Sequence, residues 1–503
     1  MSLGLVKKVV IVGGGTSGWM TAAAMSTLIS KGCEIRLIES DEISTIGVGE
    51  ATIPVIRGFN DLIGIDENEF LRQTQGTFKL GIEFVNWGKP GDSYLHGFGV
   101  IGRDQMLARF YHYWLKMYQQ GKAPNIEDYS INTAAARQFK FMRADRESGD
   151  SPLADISHAF HFDASLYAKY LRRVSESRGA IRTEGRIIKV EQRASDGYVE
   201  AVVLHSGERI EGDLFIDCSG FRGLLIEETL KTGFEDWSHY LPCDRAIAVP
   251  CASVSPLLPY TRSTAHKAGW QWRIPLQHRI GNGHVYCSQF MQEAEAEDIL
   301  MNNLDGKALA HPRHLTFKAG KRKLAWNRNV VSIGLAGGFM EPLESTSIHL
   351  VQTGITRLLM MFPHMGFEQA DIDAFNRAND DEYVGIRDFL ILHYKLNQRV
   401  GDPFWDYCRN MPIPDTLQRR MDLYQSNGRL LLSRDELFTE TSWIQVMHGQ
   451  GLRSKGYHPL VDQRTPEEIE GFLNNVKDVV QRCVDHMPTH EEYIAAQCAA
   501  EKM

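Results

Sequence analysis

Between Lys7 and Glu39 the chain sets out a strand, a glycine turn, a helix, a second strand and an acidic residue, in that order. The first strand is the run Val9-Val-Ile-Val12, fully apolar and short, as a strand buried on both faces of a parallel sheet requires. Gly13-Gly-Gly-Thr-Ser-Gly18 follows, then a small-residue helix from Trp19 to about Ile29, then Glu34-Ile-Arg-Leu-Ile38 ending on Glu39. Glu39 lies 21 positions beyond Gly18. Gly13 permits the tight turn, Gly15 lets a pyrophosphate approach the backbone, and Gly18 lets the helix pack on the strand. Glu39 is placed to accept hydrogen bonds from a ribose. Thr16 and Ser17, inside the same turn, complete this set of candidate cofactor contacts. The spacing predicts a Rossmann-type dinucleotide-binding unit.

With 503 residues the chain is too long for one core, so two or more structural units are expected. A content of 43% hydrophobic and 23% charged residues argues against long disordered stretches. The net charge is −8 and no long Lys/Arg run occurs, which disfavours a nucleic-acid partner or an anionic membrane surface. No apolar stretch approaches the roughly 18 residues of a membrane span. Lys7-Lys8 before Val9–Val12 imitates the start of a secretory signal, but the apolar run is too short and enters glycines. The eight cysteines (33, 218, 243, 251, 287, 408, 483 and 498) form no C-x-x-C pair. A metal site is therefore not expected, and reduced thiols in a cytoplasm are the natural reading.

Further along, residues 80–160 read as an irregular, aromatic-rich insertion with loops and a helix, carrying Phe84, Trp87, Tyr94 and Phe98. Asp163 to Glu176 reads as an Asp-capped helix with an apolar stripe at Leu166, Tyr167, Tyr170 and Leu171. Short strands follow over Arg186–Gln192, Val199–Leu204 and Arg209–Ile210, then Gly212-Asp-Leu-Phe-Ile-Asp-Cys-Ser-Gly220, which returns to the cofactor sheet. Residues 240–320 look like antiparallel strands, with Gly281-Asn-Gly283 as a hairpin turn. Helices are expected over Leu350–Met361 and from Gln369 to about Tyr394, and through most of the last hundred residues. Only one dinucleotide fingerprint is present, since Gly47-Val-Gly49 and Gly97-Phe-Gly99 lack the preceding strand and the final glycine. Reduction of a bound flavin by a resident nicotinamide domain is thus not indicated.

The run Asn329 to His349 joins an apolar strand, a glycine turn and Glu341-Pro-Leu-Glu-Ser345 to a helix start. Helix N-termini offer unpaired N–H groups and the positive dipole end, so the arrangement suits an anion or a cofactor carbonyl. Three distant stretches then separate two related architectures. Trp270-Gln-Trp-Arg-Ile-Pro275 matches W-x-W-x-I-P. Gly47-Val-Gly-Glu-Ala-Thr-Ile-Pro54 and Thr77-Phe-Lys-Leu-Gly81 match a region with an active-site lysine, and Gly337 to Thr346 matches one with an active-site glutamate. With His161-Phe-Asp163 and Asp213–Gly220 as lesser matches, residues 5–400 resemble the flavin-dependent halogenases, specifically the tryptophan or indole halogenases.

The resemblance implies an α/β fold: a Rossmann-type FAD-binding domain of the flavoprotein monooxygenase kind, an interleaved antiparallel-sheet substrate region and a helical C-terminal region. The implied FAD-binding parts are residues 1–80, 161–235 and 326–370, the last carrying the halide and glutamate motif. A substrate-side insertion spans 81–160, an antiparallel substrate region 236–325 and a helical substrate-side region 371–503. FAD, supplied reduced by a separate NAD(P)H flavin reductase, would react with O₂ and a chloride or bromide ion. The resulting hypohalous acid is relayed to Lys79 and halogenates an electron-rich aromatic. A homodimer is one assembly open to such a chain.

By the same resemblance Ala51, Ile187, Asp217, Leu335 and Ile348 join the cofactor contacts, and Thr346 and Ser347 form the halide site through backbone N–H groups. The commonest pattern has glycine after the threonine, so Ser347 reshapes that pocket. Taken alone, Lys79 is a snorkelling lysine and Glu344 a helix N-cap or first-turn acid. The family match instead has Lys79 hydrogen-bond the hypohalous acid or form a haloamine with it, and Glu344 orient that acid with Lys79 and remove the ring proton. Trp270 and Trp272 are either sheet packing or the barrier that keeps the organic substrate from the flavin. His96 and Phe98 would flank and stack on an indole plane. Tryptophan halogenases hold the amino-acid backbone with a Tyr-Tyr pair and a glutamate, and Thr439–His448 contains no such pair. A free indole-like small molecule is therefore expected as substrate. The competing readings are a flavoprotein hydroxylase, which needs neither lysine nor halide, and a non-catalytic flavin-binding redox sensor.

Overall fold

The computed structural model describes residues 4–42, 49–105, 108–433 and 435–502. Gly47 and Val48 of the matched stretch lie outside the described residues. The chain divides into two compact units, each assembled from three separate stretches. One comprises Met1–Gly76, Phe162–Asp244 and Thr316–Val384; the other comprises Thr77–His161, Arg245–Leu315 and Gly385–Met503.

The first unit is built on a six-stranded sheet in the order Trp326–Asn327, Val330–Ser332, Leu214–Asp217, Lys8–Val12, Glu34–Glu39 and Ile181–Glu184. All neighbours are parallel except the edge pair Trp326–Asn327 and Val330–Ser332. The apolar run Val9–Val12 is fully buried at its centre. Val10 and Val12 pack with Phe215, Val330, Val202 and Leu204, so one sheet face is covered by the antiparallel strands Ile187–Gln192, Val199–Leu204 and Arg209–Glu211. Alternation leaves Val9 and Ile11 for the opposite face, where helix Thr16–Leu28 packs. That helix buries the small residues Thr21 to Ala24 and packs on Ala164–Ser177 and Ser347–Met360. Asp163 caps Ala164–Ser177 by accepting from the N–H groups of Ser165 and Leu166.

The second unit carries a seven-stranded sheet in the order Arg313–Thr316, Arg245–Ala252, Arg279–Tyr286, Gly269–Pro275, Thr261–His266, Gly81–Val85 and Ser93–Gly97. Its central pairs are antiparallel, and Thr261–His266 runs parallel to Gly81–Val85. Two expectations need correction. Gly281-Asn-Gly283 is not a turn: it lies inside strand Arg279–Tyr286, and the turn is at residues 276–278, closed by Leu276 N–H to Arg279 O at 2.9 Å. Gly283 faces Trp272 in register, and a Cβ there would sit 2.0 Å from the indole Cζ2, so the glycine makes room for the ring. Nor is the start of 80–160 irregular. Gly81–Val85 and Ser93–Gly97 form a hairpin with Phe84 stacked on Tyr94, ring centroids 5.0 Å apart. The C-terminal stretch is helical, including Pro403–Asn410, Asp415–Asn427, Glu440–Gly449, Pro466–Asp485 and His490–Gln497. No helix among the described residues is long and apolar enough to cross a membrane.

Candidate active site

In the first unit the glycine turn forms as its spacing requires. A Cβ on Gly13 would lie 2.3 Å from Cys218 O, and one on Gly18 would lie 1.8 Å from Gly13 O, so neither position tolerates a side chain. Gly15, in contrast, faces open space, the cradle that a bound pyrophosphate would occupy. Glu39 reaches back over the turn to Gly14 and accepts from Trp19 Nε1 at 3.3 Å and from Arg182 Nε at 2.5 Å. Thr16 Oγ1 donates to Ala164 O at 3.4 Å, and Ser17 O accepts from Thr21 Oγ1 at 2.7 Å. Gly334, at φ +70°, approaches Ser17 so closely that a Cβ would lie 2.9 Å from its Cβ. Thus Leu335, in the turn Gly334–Ala336, belongs beside the glycine loop.

The other candidate cofactor residues are placed differently. Asp217 is fully buried, and its two oxygens accept from Ser219 N and Oγ and from the N–H groups of Leu225 and Ile226, at 2.6–3.0 Å. Four donors fill a carboxylate, so Asp217 shapes the loop after its strand rather than offering a face to a cofactor hydroxyl. Ile187 packs against the Val10 and Phe215 core. Ala51 and Ile348 are buried.

The segment carrying Glu344 departs from the expected helix start. Pro342–Glu344 is a 3₁₀ turn, Ser345 follows in the left-handed region at φ +60°, and helix Ser347–Met360 begins only after Thr346. Glu344 is therefore not a first-turn helix acid; no acidic residue occupies that turn. A left-handed non-glycine residue is uncommon, and the break at Ser345 frees Glu344 from the helix direction. Glu344 is 1% exposed and Thr346 is 1% exposed, with no capping bond from the Thr346 side chain. Ser347 opens the helix, where its backbone N–H has no intrahelical acceptor.

Lys79 belongs to the second unit, at the end of strand Thr77–Lys79, and is fully buried. Its Nζ lies 5.4 Å from the centroid of the Phe98 ring. The strand pairs antiparallel with Ala159–Asp163, Lys79 opposite Ala159 and Thr77 opposite His161. Thr77 Oγ1 donates to Pro275 O at 2.7 Å, so His161 Nδ1, 2.9 Å away, donates to Thr77. His161 Nε2 then accepts from Thr261 Oγ1 at 2.9 Å. Burial first, and the Lys79 charge second, hold the imidazole well below its ordinary pKa, so it is neutral. On the opposite face Phe78 stacks on Phe141 at 4.1 Å, and its N–H donates to His490 Nε2 at 3.1 Å.

Beyond Phe98, further aromatics pack around His96 on the neighbouring strand. His96 is buried near Phe389 and Phe438, at 5.6 and 6.4 Å between ring centroids. Gln445, on helix Glu440–Gly449, clamps the strand beneath by accepting from Gly97 N at 2.7 Å and donating to Gly97 O at 3.2 Å. Phe98 N donates to Leu80 O at 2.8 Å, which fixes the ring-bearing segment to the lysine strand. Trp443 is 1% exposed, edge-on to Phe389 and under the Arg420 guanidinium at 4.3 Å. Its Nε1 finds no partner among the described residues. Trp270 and Trp272 lie 6.2 Å apart, Trp270 against Trp87 and Trp272 over Gly283.

A family model described as tryptophan halogenase matches residues 8–466. The chain belongs to the tryptophan halogenase family. The tryptophan 6-halogenase ThaL of Streptomyces albogriseolus is 34% identical over 96% of this chain and 97% of its own. The tryptophan 7-halogenase RebH of Lentzea aerocolonigenes is 31% identical over 98% and 99%. Among solved structures, a flavin-dependent halogenase from Xanthomonas campestris superposes with TM-score 0.96 at 46% identity, covering 99% of this chain and 100% of that one. One from Brevundimonas sp. BAL3 gives 0.94 at 43%, covering 98% and 99%. The chain is thus a flavin-dependent halogenase, and membership of this family sets aside the hydroxylase and redox-sensor readings.

Within this halogenase, sequence reasoning passed over several residues. Glu50 was visible only as part of a matched stretch, yet burial pushes its carboxyl up to about 7. His161 stood only inside a lesser match, although it ties the lysine strand to Thr261. Gln445 carried no signal, because its partner Gly97 lies 348 positions away.

Proposed function

We propose that this halogenase takes FAD in reduced form from a separate NAD(P)H flavin reductase and uses O₂ and chloride or bromide to halogenate a free indole-like aromatic. The observation that carries the reading is the fully buried Lys79 with Nζ 5.4 Å from the Phe98 ring centroid. The glycine loop fits the cofactor, since Gly13 and Gly18 are closed to side chains while Gly15 opens on a cradle. Glu39 keeps acceptor capacity for a ribose beside Trp19 and Arg182. When bound, the reduced flavin with O₂ supplies the oxidising equivalent that converts halide to hypohalous acid. Backbone N–H groups at Thr346 and Ser347 would hold the halide. The single dinucleotide loop supports an external reductase, and eight free thiols suit a cytoplasmic enzyme.

Lys79 Nζ donates to the oxygen of hypohalous acid and holds the halogen toward the ring. The ring carbon bonds the halogen as the oxygen–halogen bond breaks, and the departing hydroxide takes a proton from Lys79 Nζ and leaves as water. Glu344 accepts the proton from the ring carbon. Phe98 and His96 set the ring plane, and Trp270 and Trp272 wall the passage. ThaL and RebH are tryptophan halogenases; this chain lacks the Tyr-Tyr pair in Thr439–His448, which supports a ring without the amino-acid backbone.

The test is aerobic incubation with FAD, a flavin reductase, NADH and halide over a panel of indoles, phenols and pyrroles, read by mass spectrometry. A halogen isotope pattern is expected in the product and is lost in Lys79→Ala, while flavin oxidation and hypohalous acid formation persist. Undiminished product from Lys79→Ala would remove the lysine mechanism.

A further inference from the structure

The strand Ser93–Gly97, which carries His96 and leads into Phe98, closes one edge of the seven-stranded sheet. Only one of its sides has a neighbouring strand. In an antiparallel pair, residues bonded to the partner alternate with residues whose N–H and C=O groups point outward. Phe98 N donates to Leu80 O at 2.8 Å, which turns Phe98, His96 and Tyr94 inward and leaves Leu95 and Gly97 pointing out. Outward amides on an edge meet water or recruit another chain, and buried ones need a partner. Leu95 and Gly97 are buried, and side chains meet both amides. Leu95 N donates to Glu127 Oε1 at 2.7 Å, and Gly97 N donates to Gln445 Oε1 at 2.7 Å.

Glu127 is itself held in place. Its second oxygen accepts from Arg137 Nε at 3.1 Å and Nη2 at 3.0 Å, and Arg137 Nη1 continues to Glu83 Oε1 at 2.7 Å. Glu83 stands opposite Leu95 in register, and its other oxygen takes Arg262 Nε at 2.7 Å. Because Glu83 alternates with Ile82 and Phe84, this ionic network lies on the sheet face away from the His96 ring. Arg137 ends helix Ile131–Arg137, which runs so close to the edge that a Cβ on Gly97 would lie 2.5 Å from Thr133 Cγ2. Burial pushes the Glu127 carboxyl upward and the Arg137 charge opposes it, so the guanidinium favours the ionised acceptor. A charged acceptor makes the stronger bond to a backbone N–H.

We infer that Glu127 is a positioning residue for the aromatic substrate: with Gln445 it takes the place of the missing neighbour strand and holds Ser93–Phe98 in register, so that the His96 and Phe98 rings keep one plane. The inference rests on the reading of His96 and Phe98 as the residues that set the ring plane, and it adds a specificity determinant that touches no substrate. Glu127 acts through the Leu95 amide, one residue before His96.

The experiment compares Glu127→Ala, which removes the acceptor but leaves Arg137 paired with Glu83, with Glu127→Gln, which keeps an acceptor for Leu95 N. In the reductase-coupled assay with indole, Glu127→Ala is expected to raise the KM for indole about tenfold, as loss of one charge-assisted hydrogen bond allows. It is also expected to broaden the mixture of positional isomers, with the KM for halide and the rate of flavin oxidation unchanged. Glu127→Gln is expected to restore most of both losses. Equal defects in the two variants, or KM values for indole and halide that rise together, overturn the inference, because either marks general loosening rather than lost register. Amide hydrogen exchange reads the register directly: Leu95 is expected to exchange about tenfold or more faster in Glu127→Ala than in the wild type, and Phe98 to lose protection with it. If the wild type halogenates no indole, the substrate reading fails and exchange still decides the inference. Coupled loss at Leu95 and Phe98 in Glu127→Ala but not in Glu127→Gln supports it. A Leu95 amide that exchanges freely in the wild type, or a Phe98 amide indifferent to Glu127→Ala, overturns it.

Discussion

Gly283→Ala tests whether the fit between the two central strands is set by Trp272. The added Cβ would lie 2.0 Å from Cζ2 and 2.2 Å from Cη2 of that indole. Non-bonded carbons settle at about 3.5–4.0 Å, so the ring must retreat by roughly 1.5 Å or the strands must part. Trp272 is 7% exposed, with Trp270 at 6.2 Å, so the ring has little room to retreat. Overpacking of this kind costs about 1–3 kcal/mol. For a unit of a few hundred residues that corresponds to a fall in Tm of about 2–10 °C. Calorimetric or denaturant unfolding of Gly283→Ala measures it, and the same substitution in a Trp272→Ala background isolates the contact. The penalty is expected to shrink to a few tenths of a kcal/mol when the indole is gone. An equal penalty in both backgrounds would refute the argument that the glycine exists for the ring.

Other perturbations address the site and its support. Glu344→Gln is expected to lower kcat about 10²–10³-fold with flavin oxidation unchanged, measured by halide-dependent product formation; a change below tenfold would return Glu344 to a structural role. The neutral His161 makes stability depend on pH: the unfolded chain binds its proton near the usual 6.5 while the folded chain does not, so stability is full above that pH and falls below it. His161→Asn is expected to remove up to about 1.4 kcal/mol per pH unit from that acid slope, measured by denaturant unfolding between pH 7.5 and 5; an unchanged slope would mean that the imidazole is protonated when folded. Gly15→Val is expected to weaken FAD binding, read by flavin fluorescence, with Tm nearly unchanged because the position faces open space; full retention of affinity would remove the cradle.

The parts of the fold that were legible share one property: their signal is local. Gly13, Gly15, Gly18 and Glu39 are read from a spacing of a few tens of residues, and the strand at Val9–Val12 from continuous burial. Asp163 as a helix cap is equally local. Gly281-Asn-Gly283 misled because a glycine that turns a chain and a glycine that admits a neighbouring ring look alike in sequence. Only the register with Trp272 distinguishes them. Glu344 reads as a helix acid because carboxylates favour the start of a helix, and nothing in the sequence announces that Ser345 takes φ +60°. The aromatics Phe84 and Tyr94 suggested irregularity because the turn residues between them hid two short strands. Lys79 was legible only through the family resemblance, since an isolated lysine carries no pattern of its own.

The halogenase motifs also act on one another mechanically. Pro275, the last residue of the Trp270 motif, has no N–H to give the sheet, and its carbonyl receives the Thr77 hydroxyl. Thr77 and Lys79 share a face of their strand, two residues apart. With its hydroxyl proton committed to Pro275, Thr77 must accept from His161, and His161 must in turn accept from Thr261. One proton order therefore runs through four residues of four strands and fixes the strand that ends in Lys79. A protonated imidazole would break that order, and the adjacent Lys79 charge opposes it. In this chain the tryptophan motif supplies the acceptor that sets the position of the lysine motif. A change at Thr77 would accordingly displace the lysine, together with the Phe98 segment tied to its strand through Leu80 O.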